Sequence, residues 1–172
     1  LMWGPMQPYI SRLSPKLIRR FSSRMDTQAF ALGVASASDQ QLADAMAGKL
    51  RPVVLGEAVR RMKDEFIADR ATDLDAVIQF AITGGPSGEA DYYQLKIADS
   101  RCETAEGKAF TDTPTSNIEV DAVDFIKMVT GNAQGIDLYI GGKLKWDGGM
   151  MMLTRLTRMF NIPEVSAAPA AA

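Results

Sequence analysis

The chain has 172 residues, enough for one domain with a core of its own, and 47% apolar with 23% charged residues is the ordinary balance of a water-exposed globular protein. It contains no histidine and one cysteine, Cys102, which excludes His-dependent triads, histidine metal sites, imidazole acid/base chemistry and a disulfide framework. The net charge of -2 is uneven, because Arg12, Lys16, Arg19, Arg20 and Arg24 precede Met25 without any acid, leaving an acidic remainder unsuited to nucleic acid.

No apolar run reaches transmembrane length, and Pro5, Pro8, Arg12 and Pro15 break up the start of the chain, so no signal peptide is read there. With its lone cysteine the chain is expected in a reducing, cytoplasmic setting. Residues 9–25 place Ile10, Leu13, Leu17, Ile18 and Phe21 at near-helical spacing, with Ser14 as cap and Pro15 as an early helical position. Two readings of this helix stand side by side. It lies on an anionic membrane surface through Arg12, Lys16, Arg19, Arg20 and Arg24, at about 1 kcal/mol each, or it docks on protein with a solvated basic face.

Residues 35–70 read as helical. Ser38 and Gln41 form a capping-box start and Gly48 a stop. The next helix puts Val54, Leu55, Ala58, Met62 and Phe66 on one face, with Arg61 and Glu65 as an exposed i,i+4 pair. The period then changes to two. Ile78, Phe80 and Ile82 alternate with Gln79, Ala81 and Thr83, as in a half-buried strand. The Gly84–Gly88 stretch is a turn, since it lacks a phosphate loop's Gly-Lys-Ser/Thr ending and no helix follows. Tyr93, Leu95 and Ile97 resume the alternation and complete an antiparallel hairpin.

Residues 101–110 predict a third, more polar strand with a turn at Glu106 and Gly107, and Cys102 within it is read as structural. A short strand with Ile118 and Val120 inward leads into a helix capped by Asp121 and closed by Gly131. That helix shows Ala122, Phe125, Ile126 and Val129 on its apolar face, with Met128 at the margin. Residues 132–142 are a loop or short helical turn. Leu144 and Trp146 mark a last strand, Gly148 and Gly149 break it, and a final helix carries Met152, Leu153, Leu156, Met159 and Phe160 on one side. Met150, Met151 and Met152 open that helix. Unbranched, polarizable methionines suit either ordinary core or a wall that adapts to different apolar ligands. No acidic pair has a defensible nucleophile or metal-ligand spacing, and Asp121, Asp124 and Asp147 read as helix-start or surface groups. The sequence therefore predicts no catalytic residue, no metal and no cofactor.

Successive antiparallel strands, a helix, one more strand and a closing amphipathic helix predict an α+β fold, a mostly antiparallel five-stranded sheet covered by helices. The helix DAVDFIKMVTG, the strand GGKLKWDGG and the helix MMMLTRLTRMF together resemble the sterol-carrier-protein-2 family of lipid-binding domains over roughly residues 52–163. The helical lead-in is also similar to the N-terminal part of bacterial members. One departure is Gly149, where the family commonly carries an acidic cap for the last helix. The layout divides into a helical extension over 1–50, a lipid-binding domain over 51–163 and a low-complexity tail over 164–172.

The resemblance implies an apolar tunnel between sheet and helices with the C-terminal helix as lid. On it, Ile78, Phe80, Ile82, Leu95, Ile97, Ile118, Val120, Leu144 and Trp146 would form the sheet wall, facing Phe125, Met128, Met152, Leu153, Leu156, Met159 and Phe160. The implied partner is an apolar lipid: a fatty acid, an acyl-CoA, a sterol or an isoprenoid. The function implied is non-enzymatic carriage or presentation of that lipid, with peripheral membrane contact. The alternative is an accessory subunit that holds a lipophilic intermediate for partner enzymes, as in quinone or lipid metabolism.

Overall fold

A computed structural model of the chain describes Lys16 and residues 27–162. From residue 27 onward the order is three helices, α1 (Thr27–Ser36), α2 (Asp39–Met46) and α3 (Arg51–Asp64), followed by a 3₁₀ turn at Ala68–Arg70. Then come β1 (Ala76–Thr83), β2 (Asp91–Ala98), β3 (Arg101–Glu106), β4 (Ser116–Asp121), α4 (Ala122–Val129), α5 (Gly135–Ile140), β5 (Leu144–Trp146) and α6 (Met150–Arg158).

Local chemistry accounts for most of these boundaries. Ser38 accepts from the Gln41 backbone N–H while the Gln41 side chain accepts from the Ser38 N–H, so both halves of the capping box form. Pro52 sits in the first turn of α3, where its missing N–H has no helical partner to lose. Asp121 caps α4 by accepting from the Val123 N–H at 2.9 Å.

The five strands form one α+β sheet in the order β3-β2-β1-β4-β5, antiparallel throughout except that β1 and β4 run parallel. The parallel pair arises because the chain leaves the β2–β3 hairpin at one edge and crosses the back of the sheet through residues 107–115 before pairing beyond β1. Gln94 holds that crossing down. Its Oε1 accepts from the N–H groups of Phe110 and Thr111 at 2.9 and 3.2 Å, and its Nε2 donates to the Thr111 carbonyl at 2.7 Å and to Gln79 Oε1 at 2.9 Å. Gln79 passes the chain of bonds to Asn117, which donates to Asp147 after β5. Gln79 and Gln94 are consequently buried, so the polar side of β1 and β2 is not the solvated face that alternation suggests.

The core lies on the other face. Ile78, Phe80, Ile82, Leu95, Ile97, Ile118 and Val120 point up into α3, α4 and α6, and Phe80 meets Phe125 of α4 edge-on at 5.4 Å between ring centroids. Arg51, also buried, ties α3 to this sheet by donating to the Ile82 and Thr83 carbonyls at 2.9 and 3.2 Å and to Asp91 at 2.7 Å. Trp146 closes the far edge, its indole N–H donating to the Gly149 carbonyl. A side chain at Gly148 would place its Cβ 2.5 Å from that ring, which explains the glycine at 148. Gly149 is the N-cap of α6 and offers no side-chain bond, while Asp147 is spent on the Asn117 backbone and side chain.

Cys102 is buried on β3, and burial pushes its thiol from an ordinary 9.0 up to about 12. The thiolate fraction at pH 8 is then about 1,000-fold below that of an unperturbed thiol. Iodoacetamide is expected to leave the native chain unmodified over a time that fully labels the urea-unfolded chain, as read by intact mass. Equal rates would place Cys102 at the surface.

Candidate functional site

An apolar cavity of about 60 Å³ lies where four helices converge on the middle of the sheet. Its floor is Phe80 of β1 and Ile118 of β4. Thr27 and Phe30 of α1, and Ala58, Arg61, Met62 and Glu65 of α3 and its end, form one side; Met128, Val129 and Thr130 at the end of α4 form another. Leu153, Leu156 and Thr157 of α6, with Phe160, Asn161 and Ile162 beyond it, complete the enclosure.

The threonines, Arg61 and Glu65 of this wall are turned to protein partners. Thr130 Oγ1 donates to the Ile126 carbonyl at 2.6 Å and Thr157 Oγ1 to the Thr154 carbonyl at 2.8 Å. Thr27 Oγ1 donates to Glu65 Oε1 at 3.0 Å and accepts from Arg61. Arg61 is buried, with its Nε donating to Glu57 Oε1 at 3.0 Å and its guanidinium over the Phe30 ring. Sequence spacing places Arg61 in an exposed pair with Glu65; the fold instead draws it inward, because α1 packs over that face of α3. Burial alone would push the Glu57 carboxyl up, but Arg60 and Arg61 together outweigh it and hold the group below the ordinary carboxylate range. The wall a ligand meets is therefore hydrocarbon.

The end of α6 is pinned to the segment that follows α3. Ile67 N–H donates to the Met159 carbonyl at 2.7 Å, Asn161 N–H to the Glu65 carbonyl at 2.8 Å, and the Phe66 and Phe160 rings meet at a tilt, 5.8 Å between centroids. Arg155 pairs with Asp73, and Arg70 donates to the Arg158 carbonyl. The start of α6 is held less: Met150 and Met151 are 49% and 89% exposed and Met152 is half-buried, so the methionine run does not face the cavity.

Of the residues expected to line a tunnel, Phe80, Ile118, Met128, Leu153, Leu156 and Phe160 come together around the cavity. Ile78, Ile82, Leu95, Ile97, Val120, Phe125, Leu144 and Met159 are buried in the surrounding core, Trp146 packs at the sheet edge, and none of them, nor Met152, reaches the cavity wall. Ala58, Met62 and Val129 also line it and sit on helix faces already legible as apolar stripes; Phe30, Thr27 and Ile162 carry no such signal. Of the basic residues read as membrane contacts, Arg12, Arg19, Arg20 and Arg24 lie outside the described residues, and Lys16 is helical and exposed.

Residues 55–161 match the family model described as the SCP-2 sterol transfer family. The chain belongs to this family. No curated protein matches it. Among solved structures it is similar to the sterol carrier protein domain 2 of Helicoverpa armigera, at 16% identity and a TM-score of 0.50, over 65% of this chain and 91% of that one. It is also similar to part of the stereoselective inverting sec-alkylsulfatase Pisa1 from Pseudomonas sp., at 10% identity and a TM-score of 0.51, over 60% of this chain but 16% of the sulfatase. At these identities both likenesses speak for the fold alone. The sterol carrier fold and the lipid-binding class of the family thus coincide with a hydrocarbon-walled cavity between sheet and helices. No helix among the described residues is long and apolar enough to cross a membrane.

Proposed function

We propose that this chain carries or presents an apolar lipid without chemically altering it, taking the lipid's hydrocarbon into the cavity beneath α6. One observation carries this reading: every threonine hydroxyl in the cavity wall is hydrogen-bonded to protein, so the site offers desolvation and shape and no free nucleophile. At about 60 Å³ the cavity holds only about four to six water-sized groups, too few for a whole lipid. Binding therefore requires the wall to move, and the thinly anchored start of α6 is the part that yields. Burying about 300 Å² of hydrocarbon contributes about 7 kcal/mol before ordering costs, which corresponds to affinities near the micromolar range. In this reading Arg12, Lys16, Arg19, Arg20 and Arg24 draw the chain to an anionic surface, where loading and release take place.

The test is transfer of a fluorescent fatty acid or sterol between donor and acceptor vesicles. Saturable uptake with micromolar affinity is expected, with transfer faster from anionic than from neutral vesicles and slowed by salt. Absence of uptake of either probe would sink the reading.

A further inference from the structure

A second hollow, of about 490 Å³, lies on the opposite flank of α3 from the apolar cavity, between that helix and the β2–β3 edge of the sheet. Pro52, Val53 and Val59 of α3 give it an apolar lining. Besides Thr104 and the Glu57–Arg60 pair, two polar groups meet there. Tyr93 and Glu106 are direct cross-strand neighbours, which places both side chains on the helix-facing side. Tyr93 is 5% exposed, yet its hydroxyl has no hydrogen-bond partner among the described residues. Because no polar side-chain atom there is both enclosed and unpartnered, that hydroxyl opens into the groove it lines.

Glu106 reaches across the groove. A Cβ built at Gly56 of α3 would lie 3.3 Å from Glu106 Oε1, so the carboxylate rests against the one bare position of the helix. Glycine in a helix interior costs about 1 kcal/mol relative to alanine, and here it leaves room for that carboxylate. The other charges of the groove are already matched. Glu57 accepts from both Arg60 and Arg61, and Arg60 also reaches Asp64. Glu106 has no lysine or arginine within salt-bridge distance among the described residues, and nearby Lys108 lies over the Tyr92 ring instead. Burial first, then the Glu106 and Asp91 charges, pushes the Tyr93 phenol up to about 12, so it stays a neutral hydroxyl able to accept a hydrogen bond.

From this geometry we infer that the groove between α3 and the β2–β3 edge binds a small aliphatic ammonium ion. Its N–H groups donate to the Glu106 carboxylate and the Tyr93 oxygen, and its alkyl part lies on Pro52, Val53 and Val59. The inference goes beyond lipid carriage and stands or falls separately from it, since the two hollows share no lining residue.

The test is a titration of the ¹⁵N-labelled full chain with n-butylammonium chloride, with n-butanol as the neutral counterpart and sodium chloride as the ionic control. Saturable backbone shifts are expected at Gly56, Glu106 and Gly107. Glu106→Gln should raise the dissociation constant about 10-fold or more, and Tyr93→Phe about 3-fold or more, with each variant's spectrum otherwise native. Shifts that do not saturate, shifts that butanol reproduces, or a dissociation constant unchanged in Glu106→Gln would each overturn the assignment.

Discussion

Gln94→Ala is expected to lower the unfolding free energy by about 3–5 kcal/mol, a large share of the 5–15 kcal/mol that holds a typical domain together. The side chain is wholly buried and makes four hydrogen bonds, three of them to the backbone of the segment that crosses the back of the sheet. Truncation strands the Phe110 and Thr111 N–H groups and the Thr111 carbonyl, and each stranded group costs about 1–3 kcal/mol, reduced where water reaches it. The crossing then keeps the Thr115–Val77 bonds, its turn and the Lys96 ammonium over the Phe110 ring. Urea unfolding followed by circular dichroism reads the effect directly. A loss below about 1 kcal/mol would mean that water replaces Gln94 and that the crossing is not anchored through it.

Ala58→Leu has the second large effect, on binding. Ala58 is 2% exposed and faces the cavity from α3, where leucine is nearly as good a helix former. Three added carbons occupy most of a 60 Å³ space. If a lipid enters here, its affinity falls about 10-fold or more, while stability changes by at most about 1–3 kcal/mol because the added group fills a hollow. Unchanged lipid uptake by a folded Ala58→Leu chain would move the site elsewhere. Leu153→Ala in the opposite wall is a poorer probe, since it enlarges the cavity and destabilises the core together.

Much of the fold is legible in the residues. The Ser38 box, the Asp121 cap, the β1–β2 alternation and the Gly148-Gly149 break each encode a local structure that forms as read. Strand order is another matter. Nothing in Ser116–Asp121 says that it pairs parallel to β1, because the pairing follows from a crossing held by one glutamine whose period-two position reads as solvent-facing. The cavity was partly visible for a similar reason. Alternation tells which face of a strand a residue takes, but not which part of that face lies under a gap between helices. Phe80 and Ile118 sit under the gap, whereas Ile82, Leu95 and Ile97 have the same pattern and sit in solid core. Arg61 shows the converse. Its spacing to Glu65 reads as a surface pair until α1 covers that face and Glu57, one turn earlier, becomes its buried partner.

The central claim, that this chain holds an apolar lipid under α6, is tested most directly by native mass spectrometry of protein purified without detergent, followed by organic extraction. The account predicts a discrete added mass that extracts as an apolar lipid and is much reduced in Ala58→Leu. An unliganded mass alone, persisting after incubation with fatty acid, sterol and isoprenoid, would contradict it.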